Sequence, residues 1–87
     1  MTHIKISCGF EADIDEEALD DIEFLEALSK MESGNPTGLP QMVDLFFGKE
    51  EKKRFYGALK NEKGRATPAE VEKAVGEIFK ELRSKKA

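Results

Sequence analysis

Leu39-Pro40-Gln41-Met42-Val43-Asp44-Leu45-Phe46-Phe47-Gly48 is the densest apolar run in a chain in which 37% of the residues are charged. Leu39, Met42, Val43, Phe46 and Phe47 recur at helical spacing, and Leu45 widens the stripe until only Gln41 and Asp44 remain polar. Pro40 suits a first helical position, where its missing N–H would have no intrahelical partner. Gly48 can take the left-handed conformation that closes a last turn. At about 15 Å the segment is too short for a bilayer, which needs about 20 apolar residues, so it must be buried in protein.

The neighbouring segments supply the cover. Upstream, Asp15 can cap a helix running to about Glu32, with Ile22, Leu25, Leu28 and Met31 as its apolar face and Leu19 and Phe24 beside them. Ser33-Gly34-Asn35-Pro36-Thr37-Gly38 stops it. Downstream, a third helix is predicted from Lys49 or Glu50 to about Asn61 with Phe55, Tyr56 and Leu59 inward, softened by Gly57. Thr67-Pro68-Ala69-Glu70 reads as an N-cap, a first-turn proline and a capping-box glutamate. The fourth helix begins there, its stripe Val71, Ala74, Val75, Ile78, Phe79 and Leu82, with Arg83, Lys85 and Lys86 at its carbonyl end. At the start, Ile4, Ile6, Cys8 and Phe10 alternate with polar residues or glycine, the period of a strand with one buried face. No second such run is evident, so residues 1–14 are expected to form an extended N-terminal arm. The expected fold class is all-α: a compact four-helix domain spanning residues 15–87, preceded by that arm.

Charge is distributed unevenly. From Met1 to Glu32 ten acids face two bases, a charge of −8, whereas from Ser33 onward eight acids face twelve bases, a charge of +4. The two halves can attract each other within the monomer, or their opposite faces can steer partners. Together with the arm and a surplus of large apolar residues they permit self-association, without specifying a symmetry.

Groups for chemistry are few. Cys8 is the only cysteine and His3 the only histidine, which gives neither a disulfide nor a set of metal ligands, so no metal or other cofactor is expected. Adjacent carboxylates such as Asp20-Asp21 point in different directions on a helix, and the glycines do not match a phosphate-binding spacing. The reading is therefore non-enzymatic, with no catalytic residue assigned. Lys49, Lys52, Lys53, Arg54, Lys60, Lys63 and Arg65 cluster around the third helix, and the central helix, Gly48 and third helix mimic a helix-turn-helix. The −8 segment in the same molecule argues against nucleic acid. The alternative reading is a small helical regulatory adaptor or nucleic-acid-binding protein. The start lacks the continuous apolar core that export requires, and no membrane association is expected.

The order of features resembles a known family. An acidic segment leads into Asp20-Asp21-Ile22-Glu23-Phe24-Leu25-Glu26-Ala27-Leu28. Then follow Glu32-Ser33-Gly34-Asn35-Pro36, the apolar run Leu39 to Gly48, a Lys/Glu helix, Asn61-Glu62-Lys63-Gly64-Arg65-Ala66-Thr67, and a last amphipathic helix with Glu77-Ile78-Phe79. Over roughly residues 15 to 82 this is similar to the small tail assembly chaperones of long-tailed bacteriophages and prophages. The resemblance implies a non-enzymatic protein of the host bacterial cytoplasm that coats the tape measure protein and recruits tail tube subunits. It also implies a longer product made by ribosomal frameshifting, for which Ser84-Lys85-Lys86 could be encoded by a slippery run.

Such a role needs apolar grooves between helices and charged rims that keep unliganded copies soluble. Phe24, Leu28, Phe46, Phe47, Phe55 and Tyr56 are the candidate partner-binding residues, the pool from which core and groove are both drawn. Periodicity does not separate the two uses.

Overall fold

The computed structural model describes residues 2–86, apart from the side chains of Lys85 and Lys86, so the expected contribution of those two lysines to the helix end lies outside it. Two strands, β1 (Thr2–Lys5) and β2 (Glu11–Ile14), precede three helices, α1 (Ile22–Glu32), α2 (Gly38–Leu59) and α3 (Pro68–Lys86), with a short 3₁₀ helix over Glu16–Asp20. This overturns the expected four-helix all-α domain with an extended arm: the start of the chain is an antiparallel hairpin, and the two central helical segments run on as one element, interrupted only at Gly48, where the sequence places the break.

The hairpin follows from a turn hidden inside the alternation. The Gly9 amide donates to the Ile6 carbonyl at 2.9 Å and the Ile6 amide to the Phe10 carbonyl at 3.0 Å, with Gly9 at φ +94°. A turn closed by a left-handed glycine is a common three-residue hairpin loop, and it reverses the chain. Pairing then sets Ile4 opposite Ala12 and His3 opposite Asp13. Ile4, Ile6, Phe10, Ala12 and Ile14 are buried on one face, while His3, Lys5, Glu11 and Asp13 stay in water on the other. Cys8, expected on the buried face, is exposed at the turn. The Glu77 carboxylate of α3 pins this tip, accepting from the Ser7 amide at 2.9 Å and the Ser7 hydroxyl at 2.6 Å.

The acidic helix expected from Asp15 to Glu32 is broken. Asp15 caps the 3₁₀ turn by accepting from the Glu17 amide, and Asp21, in extended conformation, caps α1 by accepting from the Glu23 amide at 2.8 Å. A continuous helix would set Glu16 against Asp20 and Glu17 against Asp21 at like-charge i,i+4 spacing, which is unfavourable, and Asp21 gains a cap by breaking it. The face also turns. Phe24 and Ala27 are buried and Leu28 and Met31 half-buried, but Ile22 and Leu25 are 66% and 58% exposed.

The cause of that turn is a close approach. A Cβ on Gly38 would stand 2.4 Å from the Ala27 carbonyl oxygen and 2.9 Å from the Lys30 Cβ. Two small residues let α1 and α2 meet backbone to backbone, so Ala27 must point at α2, and Ile22 and Leu25 are carried outward. Gln41 closes the same seam, donating to the Glu23 carbonyl at 3.2 Å and accepting from Lys30 Nζ at 3.0 Å.

Helix α2 bends at Gly48, whose φ of 75° and ψ of −176° belong to a region open essentially to glycine alone. Leu39, Met42, Val43 and Phe46 before the bend are buried, as are Phe55 and Leu59 after it. Asp44 and Lys52 pair across it at 2.8 Å. The adjacent Phe46 and Phe47 join two aromatic clusters: Phe46 lies 5.7 Å from Phe24, which stacks on Phe79 of α3 at 5.6 Å, while Phe47 meets Phe10 of the hairpin at 5.5 Å and Phe55 at 4.9 Å. Tyr56, 5.9 Å from Phe55, completes a network of every Phe and Tyr in the chain. Such pairs add roughly 0.5–1.5 kcal/mol each beyond their area.

Helix α3 begins where the sequence places it, with the Glu70 amide 3.4 Å from the Thr67 hydroxyl. Val71, Ala74, Val75, Ile78 and Leu82 are buried and Phe79 half-buried, and α3 packs on α2 and β1. Among the described residues no helix is long and apolar enough to cross a membrane.

Candidate docking groove

Three separate pieces of chain leave an apolar depression of about 380 Å³, lined by Pro36, Leu39, Pro40, Tyr56, Lys60, Ala66, Pro68 and Val71. Each piece reaches the surface there for a local reason. Pro36 stands in the turn before α2, Pro40 in its first turn, and Pro68 at the start of α3, positions where a ring without an N–H costs no helix bond. All three prolines of the chain are thus gathered at one spot. The far end of α2 adds Tyr56 and Lys60.

Tyr56 is half-buried, and burial pushes its phenol pKa up, opposed by the nearby Lys52 ammonium, which stands 5.9 Å from the ring centroid. A neutral hydroxyl, one ammonium and otherwise apolar walls can bury apolar side chains and give one or two directional contacts to an anion or carbonyl. The lining holds no paired nucleophile and base.

Of the six candidate residues, Phe24, Phe46 and Phe55 lie in the core, 2%, 6% and 0% exposed. Leu28 and Phe47 are half-buried and packed on it. Tyr56 alone among the six lines the groove. Periodicity missed the proline walls, since prolines read as helix boundaries, although three rings beside helix ends were a usable signal. It also missed Ile22 and Leu25, placed in the core stripe by spacing and found on the surface.

Polar sites lie elsewhere. On the outer face of the hairpin His3 is held between two carboxylates, Nδ1 2.9 Å from Asp13 Oδ1 and Nε2 3.1 Å from Glu11 Oε1, beside Glu51 and Arg54. Hydrogen bonds accepted by the carboxylates of Glu11 first and Asp13 second raise the pKa of His3 above the ordinary 6.5. Arg54 donates to the Glu11 carbonyl, pairs with Glu51 at 2.8 Å and lies over the Phe10 ring at 4.8 Å. A larger and wetter hollow of about 520 Å³ is lined by Asp15, Glu17, Ala18, Asp20, Asp21 and Leu45. Among the described residues no His, Cys, Asp and Glu cluster has the geometry to hold a metal ion.

The basic cluster considered for nucleic acid is partly occupied, since Lys52 pairs with Asp44 and Arg54 with Glu51. The two halves of α2 are joined by Gly48 alone, whereas a helix-turn-helix uses a turn of about three to four residues. No protein-family model matches the chain, and neither does any curated protein or solved structure.

Proposed function

We propose that this chain is a protein-docking module, and specifically an assembly chaperone for phage or prophage tails that holds the tape measure protein and tail tube subunits in the host bacterial cytoplasm. The observation that supports docking is the groove itself. The chain buries most of its aliphatic and aromatic residues into one cluster, yet leaves Pro36, Pro40, Pro68 and part of Tyr56 uncovered at one place. A contiguous apolar depression with a charged rim is the surface a client's apolar stripe enters, displacing water from both sides. The tail-specific part rests on the resemblance over residues 15 to 82. In this reading the chain works stoichiometrically, covering apolar client surface until assembly buries it.

The test is a pull-down with tagged chain from an induced lysogen or infected cell. Recovery of the tape measure protein, lost when Tyr56→Ala opens the groove wall in a chain still folded by circular dichroism, is the expected result. Recovery of operator DNA without tail proteins would contradict the reading.

A further inference from the structure

Exposed Ile22 and Leu25 lie one turn apart on α1, with Asp21, Glu23 and Glu26 around them, all in water. Among the described residues they are the large hydrophobic side chains left exposed. An acidic helix turn with two protruding aliphatic side chains is one half of a contact.

The groove has the features of the other half. Its walls are proline rings, Leu39 and Tyr56, and Lys60 lines it. Lys63 and Arg65, exposed in the adjoining loop, outweigh the single acid there, Glu62. Lys60, Lys63 and Arg65 make no ion pair among the described residues, unlike Lys52 and Arg54 of the same basic cluster. Apolar meets apolar, and the surrounding charges are of opposite sign.

From these features we infer that the groove of one copy receives the Ile22–Leu25 turn of a second copy of this chain. The same molecule cannot satisfy itself. Ile22 and Leu25 sit at the start of α1, and the groove wall begins at Pro36, beyond the far end of an 11-residue helix about 16 Å long. Donor turn and acceptor groove are different surfaces, so the contact is head-to-tail. One copy can give and receive at once, and association passes beyond a dimer unless a ring closes. Two aliphatic side chains with a charged rim make a small contact of the weak, reversible class, so assembly is expected between roughly 10 μM and 1 mM. The inference shares the groove with the proposed docking role but needs no tail protein, so a failed pull-down leaves it standing.

Sedimentation of the purified chain over that concentration range, at low and high salt, tests it with two variants that spoil opposite halves. Ile22→Gln with Leu25→Gln removes the donor while keeping good helix formers at exposed positions. Pro40→Glu puts a negative charge in the acceptor, in the first turn of α2, where glutamate suits the helix. The wild type is expected to grow with concentration and to dissociate as salt screens the rim. Each variant alone should associate at least about tenfold more weakly. An equimolar mixture of the two should form a 1:1 heterodimer and stop there, because each keeps the half the other lacks. A wild type that stays monomeric at about 1 mM, a variant that associates like the wild type, or a mixture that stays monomeric overturns the inference. Should Pro40→Glu not fold, Lys60→Glu at the exposed rim replaces it and carries the same expectations.

Discussion

At the scale of single residues, His3 shows how a solvent-exposed pair of contacts can still leave a measurable mark. Its two ring nitrogens face Glu11 and Asp13, with Lys5 and Arg54 acting on Glu11 from the sides. Because the folded state raises its pKa, the charged imidazolium is favoured when the hairpin is formed. Its stabilising contribution is complete below the ordinary 6.5 and fades as pH rises through the raised folded value. We predict an NMR titration midpoint for His3 above 6.5, and a wild-type chain that loses more thermal stability between about pH 6 and pH 9 than His3→Gln does. A midpoint at or below the ordinary value would remove the cross-strand role. Glu77 works in the other pH direction. The Ser7 hydroxyl first and the Ser7 amide second hold its carboxyl below the ordinary 4.5, so the clasp on the hairpin tip is complete above that value and loosens as acid protonates it.

At the scale of elements, glycines decide where helices lie, and the same substitution should have opposite effects at two of them. Gly38→Ala forces a methyl against the Ala27 carbonyl, a backbone atom that cannot swing away, so α1 and α2 must separate. The expected cost is about 1–3 kcal/mol, or a fall of roughly 5–20 °C in melting temperature. Gly57→Ala meets nothing within 4 Å and adds helix propensity, so it should stabilise by about 1 kcal/mol. Thermal melts of the two variants check both signs, and a Gly38→Ala chain as stable as the wild type would mean that the two helices do not touch there.

The elements also separate what the sequence reveals from what it conceals. Local chemistry is legible: Thr67 caps α3, the stripe from Val71 to Leu82 is buried, and Gly48 takes the positive φ expected of it. Rotation about a helix axis is not, because periodicity defines a face and the partner helix decides which way it points. Ile22 and Leu25 were displaced by the tight seam at Ala27 and Gly38. The second strand was concealed because Cys8 extends the alternation through the turn, and because Ala12 is too small to announce a strand. Acidic residues 15 to 21 look like one helix start until like-charge repulsion along that helix is counted. The groove was beyond local reading altogether, since its walls come from three stretches that only the tertiary fold brings together.

At the scale of the whole molecule, the buried first half of α2 joins α1 and the hairpin through Phe46 and Phe47, Phe24 carries the ring contacts on to Phe79 of α3, and the groove is lined from both ends of α2. Docking, with a client or with another copy, needs this framework intact before any partner arrives. Amide hydrogen exchange of the isolated chain tests that directly. The amides of Met42 to Phe47 should be among the slowest in the protein, exchanging with the global unfolding, together with those of the paired strands. Exchange there as fast as in the loop from Asn61 to Ala66 would show that the core does not form without a partner, and would contradict the account.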